Sequence, residues 1–170
     1  MIVVADTCPL IFLGKIGQVG LIGGLFPGKP WLPASVRDEL LVAPISPAEE
    51  LELRNFLKSC RIEPVSKPRQ YATALSRTDN EVLTLATRRK ADYLLSDDRL
   101  LRQMAVVEGI RPLGTLGILL KAMDRGLLTR AKTRRWIEIL VQQHQFRISI
   151  EVYDATLKRI EGWKGPATQP

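Results

Sequence analysis

The chain is poor in the residues that build disulfide frameworks and zinc sites. It has two cysteines, Cys8 and Cys60, and one histidine, His144, in 170 residues. Two thiols are too few for a disulfide framework and have no metal-ligand spacing. They read as small, half-buried hydrophobic residues in a reducing compartment. One imidazole cannot make a His-rich zinc site, and any Ser-His-Asp arrangement would have to use it. His144 shares a helical pattern with Trp136, Leu140 and Val141, which makes it a packing or helix-end residue. No apolar run is long enough to span a bilayer. The hydrophobic start MIVVADTCPLIFLGKIGQVG is broken by Asp6 and Lys15. It has neither a basic beginning nor a small-residue cleavage site, so a signal peptide is not expected. Internal repeats and interdomain linkers are also missing. These absences lead to the expectation of a cytoplasmic protein that does not engage a membrane.

What is present is an ordinary globular composition, 45% hydrophobic and 25% charged, in a chain long enough for a proper core. The net charge of +7 is unevenly spread. Residues 1–110 carry 14 Lys/Arg against 13 Asp/Glu, whereas residues 111–170 carry 11 against 5. A basic C-terminal third, with pieces such as RAKTRRW, suits nucleic acid or an acidic partner. A solvated helix face explains the same charge equally well.

Apolar β-type runs alternate with helical patterns, the signature of an α/β fold with a parallel sheet. Ile2 to Ala5 reads as a first strand closed by Asp6, and Thr7 is placed to cap the next helix with Pro9 in its first turn. Leu10, Leu13 and Ile16 face inward on that helix. Pro27, Gly28 and Pro30 mark a loop, and a short helix starts near Pro33. Ser46-Pro47-Ala48-Glu49 is a capping-box pattern that opens a helix running towards Lys58. Arg61 to Val65 is the second strand and residues 66 to 74 a loop. The helix in SRTDNEVLTLATRRKA has Val82, Leu83 and Ala86 on its apolar side. Tyr93 to Leu95 is the third strand, a helix runs from Arg99 to Glu108, and Ile110 to Leu113 is the fourth strand. Three helical segments follow Gly114, the last capped by Ser149.

The acids fall in a pattern. Ligands of parallel α/β sheets bind beyond the carboxyl ends of the strands. Asp6 stands there after the first strand, and Asp97 and Asp98 after the third. Asp79 and Glu81 open a helix that begins at the same edge, and packing can bring Glu39 to join them. Clustered carboxylates raise one another's pKa, and a divalent cation relieves the conflict. Oxygen donors without His or Cys select a hard ion, Mg²⁺ or Mn²⁺. The chemistry this suggests is phosphodiester hydrolysis by metal-activated water. Each acid also has a plainer reading. Thr78-Asp79-Asn80-Glu81 is itself a capping box, Asp98 can cap the helix at Arg99, Asp97 can be a turn residue, and Glu39 an ordinary surface acid. A receiver-like signalling domain also uses paired acids, but it wants them after the first strand and a lysine after a late one.

The pieces VVADTCPLIFLGKIG, LPASVRDELL, RTDNEVLTLATRRKADYLLSDDRLLRQMA and GIRPLGTLGILLKAMDRGLL resemble, in order, those of a PIN-domain protein. This is the fold of VapC-type toxin ribonucleases and flap-endonuclease-like metal nucleases. More narrowly, the chain resembles a prokaryotic PIN-like group with extra C-terminal helices. The resemblance implies a three-layer α/β fold, a mostly parallel sheet of about four strands flanked by helices. Residues 1–125 would be the catalytic core, 126–161 a helical extension packed on it, and 162–170 a disordered tail. It implies an Mg²⁺- or Mn²⁺-dependent endoribonuclease, the toxin of a type II toxin-antitoxin system, acting on RNA. A homodimer and a small antitoxin partner come with that reading. The family's acids carry over to Asp6, Glu39, Glu81 and Asp98. Asp6, Glu81 and Asp98 would be metal ligands, with Asp79 and Asp97 as alternatives, and Glu39 would orient a metal-bound water. Thr7 and Ser96 are supporting residues. Arg99, Arg102, Arg134 and Arg135 are expected to hold nucleic acid. The competing reading is a catalytically silent PIN-like module that binds nucleic acid or a protein.

Overall fold

The computed structural model describes residues 1–43 and 45–165. Strand β1, Val3–Ala5, is buried along its whole length, as a central parallel strand must be. Its neighbour β4, Tyr93–Leu95, is equally apolar. The two pair in parallel with Val3 beside Tyr93, Val4 beside Leu94 and Ala5 beside Leu95. Outside them lie β2, Trp31–Pro33, then β3, Arg61–Glu63, on one side and β5, Arg111–Leu113, on the other. The order is β3-β2-β1-β4-β5, with every pairing parallel. The sheet is flanked by helices, as expected, but it has five strands rather than about four.

The extra strand is β2, in a stretch that its prolines mark as loop and helix start. Proline is disfavoured inside a sheet because it cannot donate to the ladder. Here the prolines sit at the ends. Pro30 supplies only its carbonyl, to the Arg61 amide (2.7 Å), and Pro33 is the last strand residue and the N-cap of the following helix. Leu32 between them is fully buried, which anchors the strand.

The helices of the first part are α1 (Thr7–Lys15), α2 (Leu21–Leu25), α3 (Ala34–Val42), α4 (Pro47–Lys58), α5 (Arg77–Arg88) and α6 (Arg99–Val107). Leu10, Leu13 and Ile16 are buried as the pattern requires. The Ser46–Glu49 capping box forms. The cap of α1 differs from expectation. Asp6 takes the extended N-cap conformation and accepts the Thr7 amide, so Thr7 is the first helical residue and its hydroxyl is free for other work. The box of α5 also differs, pairing Ser76 with Asp79 rather than Thr78 with Glu81. The earlier start is set by Asn80, whose amide nitrogen donates to the Leu75 and Ser76 carbonyls while its oxygen accepts the Tyr71 amide. That ties the loop before α5 to its first turn.

The described residues divide into two compact units, the first Met1–Thr115 and the second from Leu116 on. Helix α7 (Thr115–Asp124) leads into the second unit, which holds α8 (Arg130–Gln143) and α9 (Ile150–Glu161). Thr129 caps α8, Ser149 caps α9, and His144 ends α8. Arg159 pairs with Asp124, and Arg134 with Glu138 and Glu161. The tail from residue 166 lies outside the described residues. No helix among those described is long and apolar enough to cross a membrane.

Candidate active site

In the order β3-β2-β1-β4-β5 the chain leaves β1 in one direction and returns to its other side with β4. The loops leaving the carboxyl ends of β1 and β4 therefore diverge around a crevice, the place where parallel sheets bind ligands. Asp6 follows β1 directly, and Ser96, Asp97 and Asp98 follow β4. The Asp6 amide donates to the Leu95 carbonyl (2.9 Å), so the two loops are stitched together at this point.

A continuous chain of hydrogen bonds then gathers the side chains. The Asp98 amide donates to Ser96 Oγ (3.0 Å), and the Ser96 hydroxyl donates to Asp6 Oδ2 (3.0 Å). Asp6 Oδ1 accepts the Thr7 amide (2.7 Å). The Thr7 hydroxyl donates to Glu39 Oε2 (2.5 Å), and the Thr78 hydroxyl to Glu39 Oε1 (2.6 Å). Elements far apart in sequence, the ends of β1 and β4 and the helices α3 and α5, thus meet at one point. Thr7 and Ser96, the two residues expected to support the site, both stand in this network.

Asp6 is almost fully buried, at 5% exposure. Burial pushes its carboxyl up from 3.8 to about 7. The Thr7 amide and Ser96 hydroxyl oppose this, while the charges of Asp79 and Glu39 add to it. Cys8, in the first turn of α1, feels the same charges. As a residue it is exposed rather than half-buried. Its thiol is nevertheless pushed up to about 12, by burial first and then by Asp6, Asp97, Asp79 and Glu39. The sulfur therefore lies within the joint field of four carboxylates from four different elements. The acids that share this field are Asp6, Glu39, Asp79 and Asp97.

Glu81 and Asp98 are placed differently. Glu81 is buried and its Oε1 accepts Arg77 Nε at 3.0 Å, so it has its own counter-charge. Asp98 is the exposed N-cap of α6, accepting the Leu101 amide at 2.7 Å. Asp97 is far from a plain turn residue. Its Oδ1 accepts the Thr115 amide (2.8 Å) and its Oδ2 the Thr115 hydroxyl (2.6 Å). Burial raises its pKa, against the Thr115 bonds and the Arg102 guanidinium. Asp79 serves as a capping residue as well, accepting the Ser76 amide (2.8 Å). Arg99 and Arg102 lie on α6, exposed, while Arg134 and Arg135 lie on α8 in the second unit, with Arg134 already paired to acids.

Among the described residues no group of three or more His, Cys, Asp or Glu is disposed to hold a metal ion. The donor chemistry nevertheless suits a hard cation. It is all oxygen, it is anionic, and its central carboxyl is driven towards protonation. Magnesium keeps several waters and is commonly held by only one or two carboxylates together with substrate phosphates. A ready-made cage is therefore not required for the residues to fit such an ion.

Local sequence pattern does not single out Thr78, Thr115, Arg77 or Gly114 for the site. Thr78 reads locally only as a cap. Gly114 marked a boundary between elements, with no sign that a carboxylate packs against it. The signal in each case is a pairing across tens of residues, which periodicity does not carry.

No match is found among curated proteins. Among solved structures, the chain is similar to a PilT N-terminus domain protein from the hyperthermophilic archaeon Sulfolobus solfataricus P2. That match has a TM-score of 0.54 and 15% identity, covering 72% of this chain and 94% of the other. A domain of a functionally unknown protein from Methanocaldococcus jannaschii DSM 2661 is similar at a TM-score of 0.47 and 20% identity, covering 66% and 89%. A family model described as a PIN domain matches residues 2–162. With that match running through both the acid-bearing sheet edge and the C-terminal helices, the chain belongs to the PIN-domain family.

Proposed function

We propose that the protein is an Mg²⁺- or Mn²⁺-dependent endoribonuclease that works at the Asp6 site. The observation that carries this is the hydrogen-bonded network at the crevice between β1 and β4, which joins Asp6 through Thr7 to Glu39, through Ser96 to the loop after β4, and Glu39 in turn to Thr78, the residue before Asp79. The PIN-domain family is usually nucleolytic, which agrees with it. Asp6 and Asp79 would hold the ion, with Asp97 completing the negative field. Asp79 is preferred here to Glu81, which Arg77 neutralises, and Asp97 to Asp98, which is an exposed cap. When bound, such an ion lowers the pKa of water and offsets charge that develops on a phosphoryl group.

Glu39 keeps lone pairs beyond the two that accept Thr7 and Thr78, so it can orient an attacking water and accept its proton. Arg99 and Arg102, exposed on α6, supply cations for the substrate phosphates. A toxin role with a small antitoxin, and a homodimer, belong to this reading and rest on the resemblance alone. The test is cleavage of single-stranded RNA with Mn²⁺, with and without chelator, by the wild type and by Asp6→Asn. Activity that requires Mn²⁺ and disappears in the variant supports the assignment. Equal activity in both preparations, or none in either, removes it.

One observation favours the second reading, a silent PIN module. Every carboxylate of the expected quartet already accepts a protein hydrogen bond, and among the described residues no three acids are arranged for an ion. RNA binding without Mn²⁺-dependent cleavage would select that reading.

A further inference from the structure

Glu39 is exposed on α3, and a glutamate there would ordinarily sample many rotamers. Here each of its oxygens accepts a hydroxyl from a different helix, at 2.5 Å from Thr7 and 2.6 Å from Thr78. Hydrogen bonds from a hydroxyl to a carboxylate are of the stronger, charge-assisted kind. The two donors are not arbitrary. Thr7 immediately follows Asp6, and Thr78 immediately precedes Asp79. One carboxylate is therefore strapped to the two helix starts that carry the other acids. The start of α5 does not need the Thr78 hydroxyl, since its capping box is made by Ser76 and Asp79.

We infer that Thr78 is a positioning residue of the acidic site. With Thr7 it holds Glu39 at the two helix starts that carry Asp6 and Asp79, so that Glu39 is already ordered when an ion and its waters arrive at those two acids. This rests on the metal-dependent reading above and deepens it. Without the Thr78 hydroxyl, Glu39 keeps one tether, and cation capture must itself supply the ordering. Outer-shell partners of metal sites commonly change affinity by about 10–100-fold when removed. With Thr7 still in place, the lower end, about tenfold, is expected.

The test is Mn²⁺ binding to the full chain, with free Mn²⁺ read by its paramagnetic resonance signal and no substrate present. Thr78→Val keeps the side-chain shape and removes the hydroxyl, Thr78→Ala is a second hydroxyl-free variant, and Thr78→Ser restores the donor. The first two are expected to raise the Mn²⁺ Kd about tenfold, and Thr78→Ser to bind within about twofold of wild type. In a Glu39→Gln background, Thr78→Val should add nothing further, because residues acting through one group are not additive. Unchanged Kd in both hydroxyl-free variants, or an equal effect in the Glu39→Gln background, overturns the inference alone. If the wild type takes up no Mn²⁺, the metal-dependent reading fails first and the inference goes with it.

Discussion

Replacing Gly114 with alanine probes the packing beneath the acidic edge. A Cβ at this position would stand 2.8 Å from Asp97 Oδ1, 3.3 Å from Arg102 Nη1 and 3.4 Å from the Ser96 carbonyl oxygen. The arginine tip can swing away, but Asp97 Oδ1 is the oxygen that accepts the Thr115 amide. Moving it breaks that bond and loosens the companion bond to the Thr115 hydroxyl. A hydrogen bond to a charged group contributes roughly 1.5–3 kcal/mol, so Gly114→Ala is expected to destabilise the fold by about that amount. The backbone itself does not demand glycine, since Gly114 is outside the left-handed region. In an Asp97→Ala background the obstruction is gone, and the same substitution should be neutral or stabilising by roughly 0.4–1 kcal/mol through the unfolded chain. Urea unfolding followed by circular dichroism on the four proteins measures both numbers. A loss below about 0.5 kcal/mol in the wild-type background, within the ordinary scatter of surface substitutions, would refute this reasoning. So would an equal loss in both backgrounds.

The raised Asp6 carboxyl makes stability depend on pH. Its folded pKa of about 7 exceeds its ordinary 3.8, so its stabilising contribution is complete below 3.8 and is lost as pH rises through about 7. The metal-free protein should therefore become less stable across that window, by at most ~1.4 kcal/mol per pKa unit, and Asp6→Asn should flatten the profile in urea titrations at a series of pH values. Saturating Mn²⁺ should raise the melting temperature more at pH 8 than at pH 6, where the ion must displace the Asp6 proton. Asp6→Asn should abolish the rise. Ser76→Ala removes one half of the α5 capping box and should destabilise the protein by about 1 kcal/mol, measured by urea unfolding. Alkylation of Cys8 at neutral pH should be far slower than that of a free thiol, because burial of the sulfur and then the surrounding acids disfavour the thiolate. Mass spectrometry of iodoacetamide-treated protein checks this.

Much of the fold could be read from local pattern. The strands at Val3–Ala5 and Tyr93–Leu95 are short apolar runs closed by acids, and the helices from Pro47, Arg99 and Ile150 carry their own caps. These signals depend on neighbours within a few residues, so the chain shows them directly. Strand β2 was hidden because Pro30 and Pro33 mask a strand whose evidence is its register against Arg61–Glu63. The start of α5 was ambiguous for a similar reason. Two overlapping capping patterns satisfy the same local rule, and the choice was made by Asn80 tying Tyr71 from the loop before it.

The acids divide along the same line. The residue types and their places after β1 and β4 determined, from sequence alone, that an anionic site would stand at the carboxyl edge of a parallel sheet. Chain-local spacing could not say which carboxylate of each neighbouring pair faces the crevice. Asp79 and Glu81 lie within one turn of one helix, and Asp97 and Asp98 are adjacent. Tertiary structure separated them by supplying partners from elsewhere: Arg77 beside Glu81, the α6 start beneath Asp98, Thr115 and Arg102 around Asp97. Electrostatic fields and hydrogen bonds act through space, and a carboxylate's role is set by what the fold brings near it. The sequence determined that the edge would be acidic, and only the folded chain decided which acids share it.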